Sequence, residues 1–207
     1  MMFTDPPWNV AIGSNRAPQF KRQGILNDDL SDEDFQAFLD GFVEAFMPHV
    51  TGDVYCVLGA SEWPRLDATM RAHGMHWSAT IIWVKDQFVL GRSKYHRRYE
   101  PIWYGWGKSG TSSFNDRRDL DDVWEIPRPK RSTEHPTMKP VELCARAIAA
   151  SSTTTVVDPF GGSGSTLMAA EQLGRRCFTM ELDPAYCEVI RIRWENATGR
   201  EAVLERA

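Results

Sequence analysis

Asp5-Pro6-Pro7-Trp8 places a carboxylate, two prolines and an indole in four consecutive residues. Prolines fix the backbone and carry no N–H donor, so the carbonyls beside them face little competition from amides. Asp5 adds an acceptor-only carboxylate. An acceptor pair of this kind suits a substrate bearing an N–H₂ group. An aromatic amine is a weak nucleophile because its lone pair is delocalised into the ring. Hydrogen bonds from its two protons to a carboxylate and a carbonyl localise that pair toward an incoming electrophile. Trp8 offers a flat surface on which an extruded base can stack. A rigid acidic surface turn would share these four residues, so they do not settle the chemistry alone.

A second group lies far along the chain: Val156-Val157-Asp158-Pro159-Phe160-Gly161-Gly162-Ser163-Gly164-Ser165-Thr166. It reads as strand, tight glycine turn and helix. Glycines let a backbone approach a ligand closely, and open α/β sheets bind ligands at the carboxyl ends of their strands. Glu181 follows about twenty residues on, at the end of the next strand, where an acid can hold ribose hydroxyls. The pattern fits a dinucleotide or S-adenosylmethionine. No Lys-Ser/Thr follows the glycines, which disfavours a nucleoside triphosphate loop.

The elements that must position these groups are legible in outline. Met1 to Thr4 reads as the end of a buried strand. Ser31 with Asp34 opens a helix carrying Phe35, Phe38, Leu39, Phe42, Val43 and Phe46 on one stripe, ended by Pro48. A strand is predicted over Asp53 to Leu58 and a helix over 62–72. Strands follow over Trp77 to Val84 and Pro101 to Trp106, with a polar basic loop between them. Residues 107–134 lack periodicity and read as an insertion. The last third alternates: helix from Pro140 to Ala150, strand from Thr154 to Asp158, helix from Ser165 to Leu173, strand from Arg176 to Leu182, helix from Pro184 to about Ala197. Such alternation predicts an α/β fold, doubly wound around a mostly parallel sheet. The 207 residues fit one domain spanning 1–207, with 107–134 as an insertion.

Composition bounds the function classes. The longest apolar runs fall far short of the roughly 20 residues that span a membrane. No basic-then-apolar leader opens the chain, which points to the cytoplasm. The four cysteines are scattered without a C-x-x-C pair, and the five histidines form no cluster, so no metal site is expected. The net charge is −4. From Lys85 to Arg131, however, eleven Lys/Arg stand against seven Asp/Glu, leaving −8 elsewhere. A basic middle on an acidic body suits one surface facing nucleic acid. The candidates for DNA contact are Arg92, Lys94, Arg97, Arg98, Arg117 and Arg118.

Taken in order, the motifs resemble those of DNA amino-methyltransferases of the permuted beta arrangement, found among N6-adenine and N4-cytosine modification methylases. There the D-P-P-(Y/W/F) motif precedes the F-x-G-x-G motif, as Asp5 to Trp8 here precede Phe160 to Gly164. Between them, His135-Pro136-Thr137-Met138-Lys139-Pro140 looks like the segment ahead of the cofactor loop. Ile82 to Lys85 and Leu90 to Pro101 look like the segment around the flipped base. Met180 to Cys187 look like the ribose-binding segment. The resemblance implies a Rossmann-like methyltransferase fold with circularly permuted motif order, lacking the family's usual N-terminal elements. It implies S-adenosylmethionine as cofactor, double-stranded DNA as partner, and a short target-recognition role for the insertion at 107–134. Asp5, Pro6, Pro7 and Trp8 would be catalytic. Thr137, Lys139, Asp158, Phe160, Gly161, Gly162, Ser163, Gly164 and Glu181 would bind the cofactor, with Thr137 and Lys139 on its carboxylate end. Asp at the first position resembles adenine-N6 enzymes, whereas cytosine-N4 enzymes more often carry Ser. A bacterial, phage or prophage setting, a homodimer, and a fused or separate upstream partner domain are further expectations. Cytosine-N4 methylation, a non-catalytic DNA-binding remnant, a nucleotide-dependent oxidoreductase and a methylase of protein or RNA amines are the alternatives. The oxidoreductase leaves Asp5 to Trp8 unexplained.

Overall fold

The computed structural model describes residues 1–10, 26–90, 94–129 and 138–205. Among the described residues, seven strands form one sheet: β1 (Met2–Thr4), β2 (Asp53–Val57), β3 (His76–Val89), β4 (Arg97–Trp106), β5 (Val123–Glu125), β6 (Thr155–Asp158) and β7 (Arg176–Thr179). Their order is β5-β3-β4-β2-β1-β6-β7. Only β4 runs against the others. The expected α/β fold with a mostly parallel sheet is therefore observed.

Side-chain alternation builds a core on each face. Met1, Phe3, Tyr55 and Val57 point to one side, against helices α3 (Val141–Ala150) and α4 (Ser165–Gln172). Met2, Val54, Cys56 and Leu58 point to the other, against α1 (Asp32–Phe46) and α2 (Trp63–Ala72). A two-residue period that buries both faces produces a near-continuous apolar run, as in a central parallel strand. Helix α1 starts where Ser31 Oγ accepts the Asp34 N–H at 3.1 Å. Asp32, Glu33 and Asp34 in its first turn complement the helix dipole. Phe35, Leu39, Phe42 and Val43 form its buried stripe. Helix α5 (Pro184–Thr198) is capped by Asp183, which accepts the Ala185 N–H at 2.8 Å, and ends at Gly199 in the left-handed region.

Three segments differ from the sequence expectation. The polar stretch after Val84 is not all loop. β3 and β4 continue as a two-stranded hairpin, through Val84↔Tyr99 and Val89↔Arg97 with an irregularity between them. Because Val57 pairs with Ile102, the hairpin beyond Pro101 projects past the carboxyl edge of the neighbouring strands. Charged residues hide this strand pattern because two of them, Lys85 and Glu100, are buried as a pair at 2.5 Å. Within the expected insertion, β5 pairs in parallel with β3 and buries Trp124. β7 stops at Thr179, three residues early, and leaves Met180 and Leu182 exposed.

The first part of the insertion is anchored at the amino edge of the sheet. Buried Asp53 accepts Tyr104 O–H at 3.2 Å, Ser112 O–H at 3.0 Å, Ser113 N–H at 3.2 Å and Ser113 O–H at 2.7 Å. Asp53→Ala leaves four donors without this acceptor. An expected loss of about 3 kcal/mol in urea unfolding follows from unsatisfied buried groups. A change below about 0.5 kcal/mol, typical of surface substitutions, would contradict this anchoring.

Candidate functional site

β1 and β6 are adjacent and parallel, with Met2 opposite Val157. Their carboxyl ends therefore lie side by side, about 4.8 Å apart. The Asp5–Trp8 turn leaves one and the glycine turn leaves the other. Asp158 ties them together: its Oδ1 accepts Thr4 O–H at 2.9 Å and Phe160 N–H at 3.1 Å.

The Asp5–Trp8 turn is braced from several directions. Trp8 and Val10 both donate their N–H to Asp28 Oδ1 at 3.2 Å. Asn9 adopts φ of 54°, and its amide exchanges hydrogen bonds with the Leu30 backbone at 3.0 and 2.6 Å. The Trp8 ring lies on Gly59, where a Cβ would come within 3.0 Å of ring atom Cε3. Asp28, Asn9 and Gly59 are positioning residues that the sequence reading missed. The signal was faint: an Asn suited to the left-handed region directly after the motif, and a glycine closing a strand.

Asp5 is surrounded by N–H donors. Its Oδ1 accepts Trp8 Nε1–H at 2.9 Å, and its Oδ2 faces Lys139 Nζ at 2.6 Å. The Lys139 ammonium lies 4.5 Å from the Trp8 ring centroid. Lys139 also stands 3.6 Å from Glu100 Oε2, while Glu100 Oε1 holds Lys85. Two ammonium groups and two carboxylates thus form a chain with no net charge, buried except at the partly exposed Asp5. Burial pushes the Asp5 carboxyl above its usual range, opposed chiefly by Lys139. Burial acts to lower Lys139, but Asp5 and Glu100 together outweigh it and hold the ammonium above its usual range.

The glycine turn packs closely. Gly161 N–H donates to Met180 O at 2.7 Å, and Gly164 N–H to Gly161 O at 2.7 Å. Gly162 and Gly164 have φ of 52° and 80°, where glycine is favoured. Gly162 N–H donates to Glu181 Oε2 at 2.7 Å, and Asp183 N–H to Glu181 Oε1 at 2.9 Å. Phe160 is half-buried against Phe38 and Phe42 of α1, with ring centroids 5.7 and 5.4 Å away. Ser163 O accepts Arg193. Ser165 O–H reaches Lys139 O at 2.8 Å. Lys139 consequently touches both motifs, the glycine-turn side through its carbonyl and Asp5 through its side chain.

Burial pushes the Asp158 carboxyl up to about 7, against hydrogen bonds from Thr166, Phe160 and Thr4. In the unfolded chain it titrates near ~3.9. Between those values the folded state retains a proton that the unfolded state has lost. Its contribution to stability is therefore lost as pH rises from about 4 to about 7. Asp158→Asn removes this dependence. The melting temperature of the variant is expected to gain on wild type from pH 5 to pH 8; a constant difference would contradict the assignment.

The basic candidates separate. Lys94, Arg97 and Arg98 are exposed on the β3–β4 hairpin, past the carboxyl edge, with Arg98 Nε donating to Lys85 O at 2.9 Å. Arg117 and Arg118 follow Asn115, which bonds Ala149 O and Ala150 O at the far end of α3. That end adjoins Asp53, roughly 13 Å along the strand from the level of Asp5. Arg117 pairs with Asp119 at 2.6 Å. The structure does not bring these two arginines to the Asp5 turn. Arg92 and Thr137 lie outside the described residues. Among the described residues, no group of His, Cys, Asp and Glu is placed to hold a metal, and no helix is long and apolar enough to cross a membrane.

The chain resembles known proteins along most of its length. It is 30% identical over 124 residues to the type II methyltransferase M2.LlaDCHI of Lactococcus lactis subsp. cremoris, covering 57% of this chain and 42% of that protein. It is 24% identical over 235 aligned positions to the type II methyltransferase M.HpaI of Haemophilus parainfluenzae, covering all of this chain and 71% of that protein. It thus spans less than half the length of the first relative. In fold it is similar to the M1.HpyAVI–SAM complex, with a TM-score of 0.67 at 20% identity, covering 93% of this chain and 87% of that one. It is similar also to the cytosine-N4-specific PvuII DNA methyltransferase, with a TM-score of 0.70 at 16% identity, covering 93% and 78%. The N6_N4_Mtase family model, described as DNA methylase, matches residues 1–191. With both motifs brought to one edge of the sheet and that match spanning nearly the whole chain, the chain belongs to the N6/N4 DNA methylase family.

Proposed function

We propose that this chain transfers a methyl group from S-adenosylmethionine to the exocyclic amine of a base flipped out of double-stranded DNA, adenine N6 being the target. The observation that carries this reading is the seat beside Trp8. There the Asp5 carboxylate already accepts two N–H donors, one of them an ammonium lying near the indole face. A base amine stacked on Trp8 would present its protons to the same acceptor.

The glycine-turn side fits an adenosyl cofactor. Glu181, held beside Gly162, offers a carboxylate to a ribose diol, and half-buried Phe160 offers an apolar ring face. Asp158, Gly161, Ser163 and Gly164 shape the turn, and Thr137 would take the carboxylate end, whereas the Lys139 ammonium is held on Asp5 and only its carbonyl meets the glycine-turn side, through Ser165. When bound, S-adenosylmethionine supplies a methyl group on a sulfonium.

This chain's residues orient the amine and move its proton. Asp5 and the Pro6 carbonyl would draw the two amine protons out of the base plane, so that the nitrogen becomes tetrahedral and its lone pair is localised for attack on a methyl group. Pro7 stiffens the turn, and Trp8 holds the base parallel to its ring. The bound cofactor would supply the methyl carbon to the amine nitrogen, its sulfur leaving with the C–S electron pair. Asp5, whose basicity burial raises, takes the proton the amine sheds. Rate enhancement comes from positioning and preplaced acceptors. Lys94, Arg97 and Arg98 on the hairpin would meet phosphates. Arg117 and Arg118 would touch DNA only away from the flipped base.

Incubation with tritium-labelled S-adenosylmethionine and unmethylated phage DNA tests the reading. Label is expected in the DNA. Absence of label with a folded protein that binds the cofactor in calorimetry would overturn it.

A further inference from the structure

We propose that Glu100 is a positioning residue: it receives the Lys139 ammonium when a base amine takes that ammonium's place on Asp5. This rests on the DNA-methylation reading above. In the structure the Lys139 ammonium sits 2.6 Å from Asp5 Oδ2 and 4.5 Å from the Trp8 ring centroid. Those coordinates are the ones a flipped base amine needs: against the carboxylate and near the indole face. Two nitrogen donors cannot fill one such volume, so Lys139 must move before the amine can bind.

It cannot move just anywhere. Lys139 is buried, and a buried ammonium needs a charged or polar partner. Glu100 provides one. Its Oε1 is taken by Lys85 at 2.5 Å, but its Oε2 is buried and accepts no hydrogen bond. That atom lies 3.6 Å from Lys139 Nζ, so a shift of about 1 Å converts the approach into a normal charge-assisted hydrogen bond. The ammonium thus has two seats, one on Asp5 and one on Glu100. Lys85, Lys139, Asp5 and Glu100 sum to zero charge in either seating. Moving between the seats keeps the ammonium against a carboxylate throughout, and the base amine replaces it as the donor to Asp5.

The test compares Glu100→Gln in two backgrounds, with unmethylated phage DNA as substrate. The neutral amide weakens the second seat, so the ammonium stays on Asp5. Expected is at least a tenfold loss in kcat/KM for DNA, with the Kd for S-adenosylmethionine within threefold of wild type. In a Lys139→Met background there is no ammonium to reseat. There the same substitution is expected to change kcat/KM less than twofold from that of Lys139→Met alone. Equal losses in both backgrounds would overturn the proposal, as would a loss of cofactor affinity parallel to the loss of rate.

A second measurement does not depend on methyl transfer. Carbon-13 NMR of the Asp5 carboxyl should show its titration midpoint fall in Glu100→Gln, as the ammonium settles on Asp5. It should rise in Lys85→Gln, which frees Glu100 to draw the ammonium away. Midpoints unmoved in both variants would overturn the two-seat arrangement. If wild type labels no DNA, the methylation reading fails, and the carboxyl titrations still decide whether the ammonium has two seats.

Discussion

Asp5→Ala is expected to lower methyl transfer to DNA about a thousandfold while leaving cofactor affinity within threefold of wild type. The magnitude follows from losing one preorganised electrostatic partner of the transition state, worth roughly 10²–10³ in rate. Asp5 has no substitute nearby for this task. Glu100, the other carboxylate on Lys139, is buried and committed to Lys85. Trp8 loses a partner for its indole N–H, but its backbone remains held by Asp28 and its ring by Gly59. The turn should therefore keep its shape. Rate constants from single-turnover labelling, with calorimetric cofactor titration beside them, check the result. Full activity in the variant would remove Asp5 from the chemistry.

Gly161→Ala should act on the other half of the site. A Cβ there would lie 2.5 Å from Thr179 Oγ1 and 3.1 Å from both Ile190 Cδ1 and Met180 O. The backbone cannot slide away easily, because Gly161 N–H is bonded to Met180 O at 2.7 Å. Strand β7, helix α5 and the glycine turn must therefore separate. Overpacking of this kind costs about 2 kcal/mol, which for a chain of this size lowers the melting temperature by about 6 °C. The same displacement moves Gly162 relative to Glu181. Cofactor affinity is expected to fall at least tenfold, more than the stability loss alone would cause in a still-folded sample. Thermal unfolding and calorimetry on one preparation separate the two effects. Unchanged affinity would show that the turn does not shape the cofactor site.

Local chemistry explains what was legible in the sequence. The Asp5–Trp8 turn, the glycine turn, the Ser31 cap and the buried alternation of β2 are each written within a dozen residues. Glu181 was found by its spacing from the glycines, and the structure places it on Gly162. What escaped depends on partners distant in sequence. Lys85 and Glu100 read as part of a polar basic loop because the ion pair that lets both be buried joins two different strands. The Lys139–Asp5 contact joins residues 134 positions apart, and neither motif announces it. Arg117 and Arg118 drew attention by charge. Their location is decided by serines docking on Asp53, which composition does not reveal. Asp28 stands outside every motif in the sequence, yet it holds the backbone of Trp8.

The most direct measurement is nucleoside mass spectrometry of phage DNA after incubation with the protein and S-adenosylmethionine bearing a deuterated methyl group. Deuterated N6-methyladenine is predicted. Deuterated N4-methylcytosine would contradict the base assignment drawn from Asp5, and no labelled nucleoside at all would contradict amine methylation by this site.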